Sequence, residues 1–82
     1  MTIKLFVKDD CPRCPAAKKV CEGIQGIEVY DVGQIDGLAE ASFYGVLATP
    51  SVLVLDAAGH EVVSWRGAVP DRTLLDRYAT IH

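Results

Sequence analysis

The segment KDDCPRCPAAKK, residues 8–19, contains two cysteines separated by two residues, and a proline directly follows each of them. Because proline has no backbone N–H, it is tolerated in the first turn of a helix, whereas it costs about 3 kcal/mol in a helix interior. We therefore predict a helix that begins at Pro12 and has Pro15 as its fourth residue. This register makes Cys11 the N-cap residue and places Cys14 in the first turn.

The predicted position of Cys11 favours a reactive thiolate. A sulfur at a helix N-cap faces free backbone N–H groups and the positive end of the helix dipole, and both lower the pKa of a cysteine. Lys8 and Arg13 also favour the thiolate. Asp9 and Asp10 act in the opposite direction if their side chains turn toward the sulfur. The pattern is suited to thiol exchange, in which one sulfur attacks and the other resolves.

The same pair of cysteines is also compatible with a metal site or a structural disulfide. Two cysteines at this spacing form half of many structural zinc sites, which usually have four ligands. The other candidate ligands are Cys21, His60 and His82. Cys21 lies about two helical turns, or roughly 10 Å, beyond Cys14, so the two cannot form a disulfide. We predict that Cys21 is a small buried apolar residue.

Length and composition predict one small globular domain that comprises residues 1–82, half of which are hydrophobic. The net charge is −3 and no basic cluster is present, so we expect no nucleic-acid partner and no anionic-membrane partner. No signal peptide is visible, and no apolar run reaches the ~18 residues of a membrane span. Three cysteines do not suit a fully paired disulfide framework. We therefore expect a cytoplasmic monomer.

Hydrophobic periodicity and turn residues predict alternating strands and helices. Strands are predicted at IKLFVK (3–8), IEVYDV (27–32), SVLVLD (51–56) and HEVVSWRG (60–67), with a turn at DAAG (56–59). The first helix ends at Gly23 and Gly26. The second is capped by Asp36, ends at Gly45 and carries an apolar stripe of Leu38, Ala41 and Phe43 or Tyr44. The third is PDRTLLDRYATI (70–81), with a stripe of Leu74, Leu75, Tyr78 and Ile81.

The predicted order is β-α-β-α-β-β-α, which indicates an α/β fold with a four-stranded mixed sheet between helices. Right-handed crossovers are expected to make the early strands parallel, and the terminal hairpin adds an antiparallel edge. The unbroken apolar run of SVLVLD is typical of a central strand. A C-x-x-C pair at the start of the first helix, in a chain of this order, resembles the thioredoxin and glutaredoxin superfamily in its minimal form.

The resemblance covers essentially the whole chain and implies roles for further residues. GVLATPSVLVLD (45–56) resembles the family segment in which a cis-proline precedes the third strand. This implies that Pro50 is cis and that the backbone of Thr49 binds the substrate strand. IKLFVKDDCPRC (3–14) resembles a glutaredoxin opening, in which a lysine at the position of Lys8 meets the carboxylate of glutathione. VVSWRGAVPDRTLLDRY (62–78) is similar to the end of thioredoxin, which implies that Gly67 lies beside the substrate groove.

Two positions differ from the thioredoxin pattern. The tryptophan before the first cysteine is replaced by Asp10, and the buried aspartate that accepts a proton is replaced by Leu5. The glycine pair and acidic residue with which glutaredoxins hold glutathione are not clear here, because Ala68 follows Gly67. The chain therefore combines features of both branches.

The resemblance implies a thiol-disulfide oxidoreductase that reduces protein disulfides, with Cys11 as the nucleophile and Cys14 as the resolving cysteine. A thioredoxin-reductase-type enzyme or glutathione would regenerate the pair, and no cofactor is expected beyond the redox-active disulfide. The predicted substrate-binding residues are Lys8, Pro12, Arg13, Thr49, Pro50 and Gly67. Two alternatives remain. One is a module that binds a metal or an iron-sulfur cluster through the same cysteines, and the other is a carrier of electrons or sulfur for one partner enzyme.

Overall fold

The computed structural model describes residues 1–79, so the predicted positions of Ile81 and His82 lie outside the described residues. The elements are β1 (Thr2–Val7), α1 (Cys14–Val20), β2 (Glu28–Asp31), α2 (Ile35–Phe43), β3 (Ser51–Leu55), β4 (Glu61–Arg66) and α3 (Arg72–Ala79). Their order confirms the predicted α/β fold with a four-stranded mixed sheet. Among the helices of this described part, none is long and apolar enough to span a membrane.

The four strands lie in the order β2-β1-β3-β4. Strands β1 and β2 are parallel, as predicted, whereas β3 is antiparallel to both β1 and β4. The expected parallel direction of the early strands is therefore wrong for β3. The register pairs Val7 with Asp31 and Phe6 with Ser51, so β2 ends and β3 begins at the same edge of the sheet. Because the chain leaves β2 and enters β3 at this same edge, β3 must run antiparallel to β1 and β2.

The two faces of the sheet form separate cores. Ile3, Leu5 and Val7 of β1 pack with buried residues of α1 and α3 on one face. Phe6 points to the other face, where it packs with Leu53 of β3 and with residues of α2 and the loop after it. Every residue of β3 is buried, which confirms the predicted central strand. This alternation follows from the two-residue period of a strand.

Helix α1 begins at Cys14, two residues later than the predicted start at Pro12. The N-cap residue is Arg13, so the prediction that Cys11 is the N-cap is wrong. Pro12 and Arg13 instead form a turn, in which the Cys14 N–H donates to the Cys11 carbonyl at 3.3 Å. Cys14 lies in the first turn, as predicted, and Pro15 follows it as the second helical residue.

Helix α1 is also shorter than predicted. It ends at Val20, and Cys21 is its C-cap residue. The predicted end at Gly23 and Gly26 is therefore too late, and these two glycines, with φ angles of 79° and 77°, lie in the turns that follow the helix. Cys21 is buried and free, which confirms its predicted place in the core.

Helix α2 has Gln34 as its N-cap residue, so the predicted cap at Asp36 is wrong, and Asp36 lies in the first turn instead. The residue in the left-handed conformation after the helix is Gly45, with φ of 67°, as predicted. Ala41 is buried, and of the two alternatives Phe43 and Tyr44 it is Tyr44 that packs against the core, whereas Phe43 is exposed. Leu38 is also exposed, so its assignment to the apolar stripe is wrong.

Gly37 explains the orientation of α2. It is buried, and a Cβ added there would overlap the Asp31 backbone carbonyl oxygen at the end of β2. Only a residue without a side chain permits this approach of helix to strand. Because Gly37 and Ala41 face the sheet, the larger apolar side chains of the helix point outward.

Helix α3 begins at Arg72, after Pro70. The Asp71 carboxylate accepts hydrogen bonds from the N–H groups of Thr73 and Leu74 and so caps the helix. Leu75 is fully buried, as predicted, but Leu74 is exposed, so its assignment to the apolar stripe is wrong. A narrow stripe is sufficient here because α3 packs on the sheet beside α1 and shares its core.

Lys4 of β1 is a buried charged residue on the α2 side of the sheet. Its ammonium group lies 2.8 Å from a carboxylate oxygen of Glu28 and 2.9 Å from one of Glu40. It also donates to the Tyr30 hydroxyl at 3.1 Å. Burial alone would lower the pKa of Lys4, but the hydrogen bonds to Glu28, Glu40 and Tyr30 outweigh it, so the pKa is raised above its usual value. This network joins β1, β2 and α2.

Candidate redox site

The two cysteines of the C-x-x-C pair lie just beyond β1, at the edge where β2 ends and β3 begins. Their sulfurs form a disulfide, and their Cα atoms are 5.3 Å apart. Cys14 is 2% exposed, whereas Cys11 is only partly buried. An external thiol or disulfide can therefore reach Cys11, while the protein shields Cys14.

The difference in exposure follows from the turn and the start of α1. Cys14 is the first helical residue, and its side chain belongs to the same buried cluster as Leu5, Ala17 and Val52. Leu5, where the resemblance to thioredoxin implied a buried aspartate in the family, contributes no titratable group to this cluster. Cys11 precedes the turn and is only a partly buried neighbour of this cluster.

Arg13 and Gly67 are brought together across the site. The Arg13 guanidinium donates to the Gly67 carbonyl at 2.7 Å, and so connects the cysteine turn to the loop after β4. The Gly67 N–H donates to the Ser51 hydroxyl oxygen at 3.1 Å, and that hydroxyl donates to the Ala48 carbonyl at 2.7 Å. Ser51 thereby ties the loop of Gly67 to the segment that leads into β3.

Sequence reasoning missed Ser51. Its signal is a hydroxyl residue at the start of an otherwise apolar strand, where burial requires a hydrogen-bond partner. Ser51 is fully buried, and both of its partners lie in loops that border the site.

Thr49 and Pro50 occupy the position that the resemblance implied. The peptide bond between them is cis, as predicted. The Pro50 carbonyl accepts a hydrogen bond from the Ala68 N–H at 3.1 Å, which holds the segment against the loop after β4. Pro50 is buried and Thr49 is partly exposed. The pairing of β1 with β3 extends to Phe6 and Ser51, and Thr49 lines the same groove as Lys8, which lies in the segment that leads to Cys11.

An open groove of about 480 Å³ adjoins the site. Lys8 and Thr49 line the part near the cysteines, and most of the remaining lining is apolar: Val32, Leu38, Ala41, Val46, Leu47 and Ala48. The Lys8 ammonium is 3.9 Å from the carboxylate of Asp10, and both side chains are exposed. An exposed pair at this distance contributes about 0–1 kcal/mol, so it fixes Lys8 only weakly.

The remaining predicted residues lie as follows. Pro12 is exposed in the cysteine turn. Cys21 is buried away from the pair, and burial raises the pKa of its thiol although Arg72 acts in the opposite direction. His60 lies in the turn between β3 and β4, beside Asp56. Across residues 1–79, no three or more His, Cys, Asp or Glu side chains are grouped so that they could hold a metal ion.

The fold and the cysteine pair define a class of protein, the thiol-disulfide oxidoreductases with a thioredoxin fold. The model of the thioredoxin domain family matches residues 1–79, and the chain belongs to this family. A thioredoxin of Methanocaldococcus jannaschii is 33% identical over 57 residues, which cover 63% of this chain and 67% of that relative.

Solved structures show the same fold. Thioredoxin 1 of Thermosipho africanus superposes with a TM-score of 0.66 at 24% identity, over 95% of this chain and 93% of that one. A thioredoxin of Thermus thermophilus superposes with a TM-score of 0.66 at 21% identity, over 94% of this chain and 69% of that one. These likenesses extend along nearly the whole chain, so the elements around the cysteine pair are those of the family.

Proposed function

We propose that the protein reduces disulfides in other proteins by dithiol exchange. The Cys11 thiolate attacks one sulfur of the substrate disulfide, so a mixed disulfide forms and a substrate thiolate leaves and takes up a proton. Cys14, once deprotonated, attacks Cys11, which releases the second substrate thiol and forms the Cys11–Cys14 disulfide. The substrate gains two electrons and two protons, and the cysteine pair loses them.

The observation that carries this proposal is the unequal exposure of two cysteines that can form a disulfide with each other. An attacking sulfur must be reached by a protein substrate, and Cys11 is the accessible member of the pair. A resolving sulfur needs only to reach the attacking sulfur, and Cys14 does so from the first turn of α1. Attack on a substrate by Cys14 would require the start of α1 to open.

The loops around Cys11 support a place for a substrate strand. Thr49 is partly exposed beside the cysteine segment, so its backbone can pair with an extended chain. Gly67 lies on the other side, where its carbonyl already accepts from Arg13. In this proposal Pro12 contacts the substrate, the buried Pro50 positions the Thr49 backbone for it, and Lys8 contacts the carboxylate of glutathione when glutathione binds.

Two variants test the assignment of the cysteines. Cys14→Ser is expected to accumulate a mixed disulfide through Cys11 when mixed with an oxidised protein such as insulin, because the resolving sulfur is absent. Cys11→Ser is expected to abolish disulfide reduction. The adduct is measured by intact-mass spectrometry, and reduction by the precipitation of insulin chains.

Cys21→Ala is the matched control, because Cys21 is buried and lies outside the pair. This variant is expected to retain reduction and to form no trapped adduct. Reduction that survives in Cys11→Ser would contradict the assignment.

We further propose that a thioredoxin-reductase-type enzyme or glutathione regenerates the dithiol. A coupled assay with NADPH compares the two routes, one with thioredoxin reductase and one with glutathione and glutathione reductase. The route that sustains turnover identifies the reductant. If neither route sustains turnover, the proposed catalytic cycle is contradicted.

A further inference from the structure

Arg13 is an exposed cation in the turn between the two redox cysteines. Its guanidinium donates from Nη2 to the Gly67 carbonyl at 2.7 Å. That carbonyl is a neutral acceptor, so the hydrogen bond fixes the guanidinium without neutralising its charge. Within residues 1–79, Arg13 forms no ion pair with a carboxylate.

The other basic residues with which Arg13 can be compared have carboxylates of their own. Lys8, which lies in the segment before the cysteines, has its ammonium 3.9 Å from the carboxylate of Asp10. The guanidinium groups of Arg66 and Arg72 also form ion pairs within the chain. The charge of Arg13 is therefore left for a group that the described part of the protein does not supply.

The guanidinium of Arg13 is held from both ends. Its backbone is the N-cap of α1, and its acceptor residue, Gly67, is held in turn because the Gly67 N–H donates to the Ser51 hydroxyl at 3.1 Å. A side chain that is already ordered loses less conformational entropy on binding. Nε and Nη1 donate to no atom of residues 1–79. A guanidinium with such donors can bind a carboxylate through two parallel hydrogen bonds.

We propose that Arg13 binds an acidic side chain of the disulfide-bearing substrate, close to the cysteine that Cys11 attacks. This proposal rests on the function proposed for Cys11. The Arg13 side chain extends from the cysteine turn to Gly67, so a chain bonded to Cys11 lies beside it. The whole protein has a net charge of −3, which repels acidic chains. A preference for an acidic substrate would therefore come from a local contact.

Two peptides of equal length test the proposal. Each carries one cysteine in a disulfide with 2-thiopyridine, flanked by glutamates in one peptide and by glutamines in the other. The Cys11 thiolate of the reduced protein attacks the peptide sulfur, a mixed disulfide forms, and the departing sulfur takes up a proton as 2-thiopyridone, whose absorbance gives the rate. Each rate is divided by that of the same peptide with dithiothreitol, which corrects for the reactivity of the peptide itself. We expect the glutamate peptide to react about threefold faster, as one exposed ion pair allows.

Arg13→Gln is expected to remove this preference, and Arg13→Lys is expected to keep part of it, because lysine retains the charge without the fork of donors. The ratio of the two peptide rates is compared within each variant, so a change in the reactivity of Cys11 does not affect it. The carboxylate of Asp9 acts against an acidic substrate in every variant alike. Lys19→Gln is the matched control, because it lowers the net charge equally and Lys19 is exposed in the last turn of α1. This control is expected to keep the preference.

Four results would overturn the proposal. Three are equal corrected rates with the unsubstituted protein, a preference that survives in Arg13→Gln, and a preference that Lys19→Gln removes as well. The fourth is a loss in Arg13→Lys as complete as in Arg13→Gln, which would assign the preference to the loop that Arg13 holds and not to its charge. Failure of the reduced protein to release 2-thiopyridone from either peptide is a separate outcome, which would contradict the proposed function and the carboxylate contact together.

Discussion

Gly67 is the residue on which the loop opposite the cysteine turn depends. It has φ of 69°, in the region that favours glycine, and its carbonyl is the acceptor for Arg13. A Cβ added at this position would stand 3.2 Å from the Cβ of Ala48. Other residues adopt this backbone conformation only with strain, and the nearby Ala48 leaves little space for a side chain at position 67.

We expect Gly67→Ala to lower the free energy of unfolding by about 1–2 kcal/mol, from backbone strain and the contact with Ala48. Urea unfolding measures the change. Gly59→Ala is the matched control, because Gly59 has φ of 84° and nothing lies within 4 Å of its added Cβ. That variant should show the backbone contribution alone. Equal losses in the two variants would mean that the contact with Ala48 contributes nothing.

Arg13 shows how one residue of the cysteine turn can act beyond its own loop. Its hydrogen bond to Gly67 spans the redox site, although the two residues are far apart in the sequence. The position of Arg13 between the cysteines does not predict its bond to Gly67, because this bond depends on where β4 ends.

At the scale of the elements, the approach of α2 to β2 decides which side chains the helix exposes. Gly37 lies so close to the Asp31 carbonyl that no Cβ fits between them. This contact turns Ala41 inward and leaves Leu38 and Phe43 exposed.

Gly37→Ala is expected to destabilise the protein by about 2 kcal/mol, although alanine has the higher helix propensity by about 1 kcal/mol. The overlap with Asp31 forces α2 away from the sheet and outweighs the propensity. Urea unfolding gives the sign of the change. Ala39→Gly at an exposed position of the same helix is the control, and it should cost about 1 kcal/mol by propensity alone. A more stable Gly37→Ala protein would contradict the close approach.

At the scale of the whole molecule, the Lys4 network links the central sheet to α2 through charge. The hydrogen bonds of Lys4 and then of Tyr30 to the Glu28 carboxylate hold the pKa of Glu28 below its usual value. A carboxyl group whose pKa is lower in the folded state stabilises that state above its unfolded pKa of about 4.3. This stabilisation is lost as the pH falls through the folded-state pKa.

We therefore expect Glu28→Gln to reduce the free energy of unfolding at pH 7 and to reduce it progressively less as the pH falls below about 4.3. Urea unfolding between neutral and acidic pH measures the difference between the two proteins. Glu22→Gln removes one negative charge outside the network and is the control. A difference for Glu28→Gln that is the same at all pH values would show that the carboxylate form of Glu28 has no stabilising role.

The sequence by itself determined those features that depend on neighbouring residues. Strand and helix periods give the order of the elements, the prolines place Cys14 in the first turn of α1, and Gly45 ends α2. The resemblance of its motifs to known families added the cis bond before Pro50. Each of these signals lies within one short segment, so it can be recognised without knowing how the chain folds back.

Only the tertiary structure decided the features that depend on contacts between distant segments. It made β3 antiparallel, because β2 ends at the edge where β3 begins. It moved the N-cap from Cys11 to Arg13, buried Lys4 between two carboxylates, and turned Leu38 outward. Hydrophobic periodicity predicts that a helix has an apolar side. The close approach of Gly37 to the Asp31 carbonyl decides which side of α2 faces the sheet.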